Sequence, residues 1–311
     1  MSGLEEMVAD YLAVRRSLGY KLAGTEHLLG QFVAYLHSQN DQTLTVEHAL
    51  AFATAPVEAS QRWQALRLSA IRCFARWAQP TDASIQVPPT RLLPARPSRA
   101  TPYIYTAHEV AALLGATDQL RPPIRAATFR TLIGLMAATG IRTGEMIGLD
   151  IVDLDQQAGT LTVTGKYAKT RRLPLHPSVA EALVQYLDLR NRLLPAGACP
   201  ALLISTRGAR LHPSTVHRTF RGLVAEVGLR PVSPACRPRL HDFRHTFAVS
   251  TMLDAYTSGD DPAVVLPMLS TWLGHVHPSD TYWYLTGTAE LMAAPPDRLE
   301  RRQGERRGDL Q

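Results

Sequence analysis

Residues 80 to 103 read PTDASIQVPPTRLLPARPSRATPY, with Pro80, Pro88, Pro89, Pro94, Pro97 and Pro102 and no usable helical or strand period. Proline lacks an amide donor and fixes φ near about −65°, so a regular element cannot run through such a stretch. Segments of this kind favour extended geometry and act as semi-rigid spacers. The chain is therefore expected to fold as two blocks, one on each side. At 311 residues it also exceeds what one hydrophobic core usually serves. The boundaries read as a first domain at 1–90, a linker at 91–105, a second domain at 106–290 and a tail at 291–311.

The first block is helical by period. MVADYLAVRRSLGY and EHLLGQFVAYLHSQ space their apolar residues by three and four, and Thr45 is a plausible N-cap for TVEHALAFAT. In a fourth helix, RWQALRLSAIRCFARWAQ, residues Trp63, Leu66, Ala70, Phe74 and Trp77 project onto one face, the expected core side. Arg62, Arg72 and Arg76 fall outside it. The second block begins helical at Thr106, then changes period. DIVDLD, TLTVTG and TRRLPLH read as three short strands, the last two joined by the turn GKYAK. Three further helices follow, with SGDDP as a turn before the last polar motifs. The tail, DRLERRQGERRGDLQ, is too charged to bury much. The fold class expected is mainly α with a small antiparallel β-sheet.

Composition narrows the function. Cys73, Cys199 and Cys236 are odd in number and far apart, which argues against a disulfide framework or a zinc site and for buried free thiols. No run of about 18 apolar residues suggests a membrane span. The opening MSGLEEMVADYLAVRR starts acidic and lacks a signal-peptide plan, so a cytoplasmic protein is expected. A net charge of +6 fits a polyanionic partner. Residues 56–100 carry Arg62, Arg67, Arg72, Arg76, Arg91, Arg96 and Arg99 against only Glu58 and Asp82. A second basic stretch runs from Arg207 through Arg210, Arg218, Arg221, Arg230, Arg237 and Arg239 to Arg244. Two separated basic regions suggest a long surface on nucleic acid, with Arg62, Arg72, Arg76, Arg96, Arg99 and Arg218 as candidate contacts.

Polar residues concentrate in five places: Arg142 with Glu145 one helical turn on, Lys166 and Lys169 at the hairpin, His241 and Arg244, His275 in LGH, and Tyr282 and Tyr284 beyond it. Arginines, a lysine, histidines and a tyrosine without grouped carboxylates suit metal-free attack on a phosphodiester. Guanidiniums neutralise the nonbridging oxygens as charge develops. A phenol can act as the nucleophile if its proton is accepted during attack, and a lysine can protonate the leaving oxygen. Two-metal nucleases need clustered acidic ligands instead.

In this order, ATGIRTGEMIGL, VTGKYAKTRRLPLH, LHDFRHTFA and LGHVHPSDTYWY resemble the motifs of the tyrosine recombinases of the phage-integrase family. The resemblance spans about 106 to 285 and implies a catalytic domain preceded by a helical, SAM-like core-binding domain. It implies that Arg142 and Arg244 clamp the scissile phosphate, with Glu145 supporting the arginine box. Lys166 becomes the general acid in preference to Lys169. His241 assists proton transfer, His275 hydrogen-bonds a nonbridging oxygen, and Tyr284, nine residues after His275, is the nucleophile. It implies no cofactor and no metal. The implied partners are double-stranded DNA and further protomers, four on two DNAs, with sibling recombinases conceivable among them. TAELMAA after the tyrosine either docks on a neighbouring protomer or packs locally. The ending YWYLTGTAELM is also similar to recombinases of transposon-type elements. The alternatives are a type IB topoisomerase, which uses a similar residue set, and a catalytically silent DNA-binding regulator on the same scaffold.

Overall fold

The computed structural model describes residues 3–93, 101–165, 169–193 and 199–275. The chain divides into two compact units, residues 1–99 and 100–311. In the first, four helices enclose a core: α1 (Gly3–Ser17), α2 (Ala23–Ser38), α3 (Val46–Thr54) and α4 (Gln61–Ala78). Thr45 caps α3 by accepting from the His48 amide at 3.1 Å, and Ser60 caps α4 through the Trp63 amide. Leu12, Leu29, Phe32, Leu36, Phe52, Leu68, Ile71 and Phe74 fill the centre. Phe32 meets Phe52 edge to face at 5.3 Å, and Tyr11 meets Phe74 likewise.

The buried side of α4 differs from the sequence expectation. Arg67, Leu68, Ile71, Phe74, Ala75 and Ala78 are buried, whereas Trp63 and Leu66 are exposed. The core face is turned by about 100° around the helix axis, with Phe74 common to both readings. Apolar side chains cover more than half of this helix, so its neighbours select which part is buried. Arg67 joins that part because its Nη2 donates to Phe52 O at 2.8 Å and its guanidinium stacks over the Phe52 ring at 3.8 Å.

Both ends of the proline-rich stretch are anchored. Ile85 is buried in the first core, and the Gln86 amide donates to Leu44 O at 2.9 Å. Arg72 donates to the carbonyls of Pro88 and Pro89, each at 2.9 Å. At the far end, Tyr103 and Tyr105, assigned from the sequence to the linker, belong to the second core. The Tyr105 ring stacks on Phe243 at 4.5 Å, and its amide donates to Thr246 Oγ1.

The second unit is built on α5 (Ala107–Ala116), α6 (Pro123–Thr139), α7 (Thr143–Gly148), α8 (Pro177–Leu193), α9 (Pro213–Glu226), α10 (Asp242–Ser258) and α11 (Pro262–Leu273). Helix α6 lies at the centre, packed by α5, α8 and α10, and buries Phe129, Leu132, Ile133, Leu135 and Met136. The sheet is antiparallel in the order β1 (Leu154–Asp155), β2 (Thr160–Thr164) and β3 (Thr170–Pro174). Of DIVDLD only the last two residues pair as strand. Residues 151–153 form a 3₁₀ turn closed by Asp153 accepting the Asp150 amide. On β3, Leu173 is buried, so Arg171 two residues earlier shares its inward face, while Arg172 is exposed. SGDDP is a helix stop and start: Gly259 ends α10 at φ 91° and Asp261 caps α11 through the Ala263 amide. Cys236 is buried, Cys199 half-buried and Cys73 exposed, so the expectation of buried thiols fails at Cys73, which α4 turns outward. Among the described residues no helix is long and apolar enough to cross a membrane.

Candidate active site

A helix leaves its last carbonyls without intrahelical partners. At the end of α11 three successive carbonyls are each taken by a different arginine. Trp272 O accepts from Arg171 Nε at 2.7 Å, Leu273 O from Arg244 Nη2 at 2.6 Å, and Gly274 O from Arg142 Nη2 at 3.3 Å. Gly274 adopts φ 67°, which lets the chain reverse there and present His275 beside Arg244. Segments more than a hundred residues apart in sequence thus converge on the LGH turn.

Arg142 is the N-cap residue of α7, just beyond the αL residue Gly140 that ends α6. Its Nη1 donates to Glu145 Oε1 at 2.8 Å, and its amide to Oε2 of the same carboxylate. Arg171 grips that carboxylate too, at 3.3 Å from Nη1 to Oε1 and 2.7 Å from Nη2 to Oε2. Glu145 is 8% exposed and Arg171 12%, whereas Arg142 keeps 33% of its side chain open. Burial alone would raise the Glu145 pKa, but the hydrogen bonds and charge of Arg171, then of Arg142, outweigh it and leave the group below its ordinary value. Glu145 is therefore ionised near neutrality and holds two cations.

Arg244 is fully buried. It donates through Nη1 to Gly140 O at 3.0 Å, and its Nη2 lies 2.7 Å from His275 Nε2. His241 precedes it as the N-cap residue of α10 and is exposed. The helix start leaves His241 at the surface and sends Arg244, three residues on, inward. His241 and His245 meet ring to ring at 5.3 Å. Surrounding protein, then the charges of Arg244, Arg239 and Arg142, push the His241 pKa down to about 4. The imidazole is therefore uncharged at neutral pH beside these three guanidiniums, with one ring nitrogen free to accept a hydrogen bond. Asp242, within LHDFRH, is buried and held by a two-armed contact from Arg239 at 2.8 and 3.0 Å.

Of the residues singled out from the sequence, Arg142, Glu145, Arg244 and His275 form one network, with His241 in its electrostatic reach. Lys166, Tyr282, Tyr284, Arg96 and Arg99 lie outside the described residues, as does the segment TAELMAA. Lys169 stands at the hairpin, where its carbonyl accepts the Gly165 amide at 2.8 Å. Arg62 and Arg76 are exposed on α4, and Arg218 is exposed on α9. Arg72 is half-buried and occupied by the Pro88 and Pro89 carbonyls. Within the basic stretches, Arg67, Arg210, Arg239 and Arg244 also serve internal contacts, Arg210 with Ile147 O, Leu149 O and Asp150. Arg171 was missed. Its signal was the strand period, which places it on the face of buried Leu173 and so calls for a partner.

The network offers three guanidiniums, an ionised carboxylate that holds two of them, and the His275 imidazole, with His241 nearby, an arrangement suited to an anionic centre. The profile of the phage integrase family matches residues 104–290. An integrase/recombinase of Sinorhizobium fredii, y4rB, is 42% identical over 98% of this chain and 100% of its own. Tyrosine recombinase XerC of Roseiflexus sp. is 31% identical over 78% of this chain and 74% of its own. The solved structure of the Tn1549 transposon integrase in complex with transposon right end DNA shares the fold, with a TM-score of 0.62 over 96% of this chain and 98% of that one at 16% identity. The chain belongs to the phage integrase family and is a tyrosine-type site-specific recombinase.

Proposed function

We propose that this chain cuts and rejoins duplex DNA at a specific site, with Tyr284 as covalent nucleophile, in the integration, excision or transposition of a mobile element. The Tyr284 oxygen attacks phosphorus, a tyrosyl–phosphate bond forms at the 3′ side, and the bond to the 5′ oxygen breaks. His241, uncharged at neutral pH, assists removal of the phenol proton, and Lys166 gives a proton to the departing 5′ oxygen. A 5′-hydroxyl from the partner duplex then reverses these steps, so neither ATP nor metal is consumed. Arg142 and Arg244 bind the nonbridging oxygens, where paired guanidiniums act most strongly as charge develops. Arg142 presents its open side to the phosphate. Arg244 engages when its contact with His275 is exchanged for a phosphate oxygen, and His275, once its proton moves to Nε2, donates to that group.

Strand exchange between two sites requires four protomers on two DNAs, passing through a Holliday junction, and sibling recombinases can supply some of them. DNA is held along the exposed arginines, Arg62, Arg76 and Arg218 among them, with Arg96 and Arg99 of the proline-rich stretch, while Arg72 tethers that stretch to α4. The reaction belongs in the cytoplasm, where the DNA is. The observation that carries this reading is the convergence of Arg142, Arg244, Glu145 and His275 on one turn, with a family tyrosine nine residues beyond.

The test uses a nicked duplex carrying the sequence that the protein itself selects from a random-sequence DNA pool. A covalent protein–DNA adduct and joint products from two such sites are expected. Absence of the adduct overturns the reading, and relaxation of a one-site plasmid without two-site products favours a topoisomerase.

A further inference from the structure

We propose that Arg171 is a positioning residue of the reaction, setting the Arg142 half of the phosphate clamp through Glu145 and through the LGH turn. This rests on the recombinase reading and deepens it.

Arg171 is the one residue of β3 whose side chain reaches both supports of Arg142. Its two Nη atoms face the two carboxylate oxygens of Glu145, and its Nε holds Trp272 O, two residues before the Gly274 carbonyl that Arg142 itself uses. All five donor hydrogens of a guanidinium lie in one plane, so these three contacts fix the carboxylate and the turn relative to each other. A carboxylate gripped from one side by Arg171 can offer Arg142 only its remaining lone pairs, which sets the plane of the Arg142 guanidinium. The turn is also packed tightly on Arg171. A Cβ built at Gly274 would stand 3.0 Å from Arg171 Nη1 and 3.2 Å from Cζ. A lysine at position 171 would keep the charge but lose the fork. Alanine would leave Glu145 to a single partner and the Trp272 carbonyl unbound.

Misplacement of a positioned group by about 1 Å costs on the order of 100-fold in rate. That loss is expected for Arg171→Ala in single-turnover cleavage of the nicked duplex at saturating protein, with Arg171→Lys in between and the exposed neighbour Arg172→Ala at the wild-type rate. Replacing one nonbridging oxygen of the scissile phosphate by methyl removes the charge that the clamp neutralises. On this methylphosphonate duplex the gap between wild type and Arg171→Ala should close to a few-fold. A gap of equal size on both duplexes would mean a merely structural role and would overturn the proposal. A second readout needs no DNA. ¹⁵N relaxation of the Arg142 guanidinium should report a looser side chain in Arg171→Ala, or in Arg171→Gln if alanine does not fold, and no change in Arg172→Ala. A rigid Arg142 in these variants overturns the proposal whatever the cleavage assay gives. Lack of adduct from the wild-type protein bears instead on the recombinase reading.

Discussion

Arg244 Nη2 stands 2.7 Å from Nε2 of His275. A guanidinium can only donate, so Nε2 must be the acceptor and the imidazole is the neutral tautomer with its proton on Nδ1. ¹⁵N NMR of the DNA-free protein should therefore show His275 with a protonated Nδ1 and a bare Nε2. Adding the target duplex should change this signature as the Arg244 contact is exchanged for phosphate. A protonated Nε2 in the free protein would contradict the pairing.

Glu145 should matter for folding as well as for cleavage. Removing one member of a buried ion pair leaves the other charge uncompensated and costs about 3 kcal/mol or more. Glu145→Ala strips Arg171, 12% exposed, and the more open Arg142 at once. Denaturant unfolding should show a loss of about that size, with Glu145→Gln losing less because it keeps the shape and an acceptor. A variant as stable as wild type would show that water replaces the carboxylate.

The two tyrosines near the end of the chain should separate cleanly. If the segment is helical, residues two apart lie about 200° apart around its axis, and only one of Tyr282 and Tyr284 would face a given phosphate. Tyr284→Phe is expected to abolish the covalent adduct while leaving DNA binding intact, and Tyr282→Phe to retain cleavage. The opposite pattern would move the nucleophile to Tyr282.

Acid should destabilise the second unit through its histidines. Folding lowers buried His245 to about 3 and His241, whose ring at the surface is only partly shielded from water, to about 4, from about 6.5 in the unfolded chain, this loss of solvent being the first cause in each. Between those values the unfolded chain binds more protons, so stability falls as pH drops from about 6.5 to 4 and levels only below the folded values. Glu145, held below its ordinary value, loses its contribution only at lower pH. The melting temperature should therefore decline through this window, and His245→Gln should flatten the decline. An identical slope in the variant would remove His245 as its source.

DNA contacts should divide from structural arginines by their salt dependence. Each phosphate contact contributes about 0.9 to the slope of log affinity against log salt. Arg62→Ala and Arg76→Ala should each lower the slope by roughly that amount without affecting stability. Arg67→Ala should lower stability instead, because Arg67 is buried against Phe52. A normal slope in both surface variants would exclude α4 from the interface.

Local pattern carried a large share of the result. The period of apolar residues located the four helices before Ile85, Thr45 was legible as a cap, and the alternation in TLTVT and TRRLP gave the hairpin. Those features depend on residues a few positions apart, where the chain's own geometry decides which side chains meet. Arg142, Glu145, Arg244 and His275, drawn from separate polar motifs of the sequence, meet in one network in the fold. Tertiary structure decided the rest. Helix α4 could bury either of two apolar faces, and Phe52 with its neighbours selected the one containing Arg67 and left Trp63 exposed. Arg171 is 26 residues from Glu145 and 101 from Trp272, so no local period connects them. Three carbonyls at the end of α11 need donors because a helix cannot satisfy its own last turn, and only the folded chain settles which three arginines supply them.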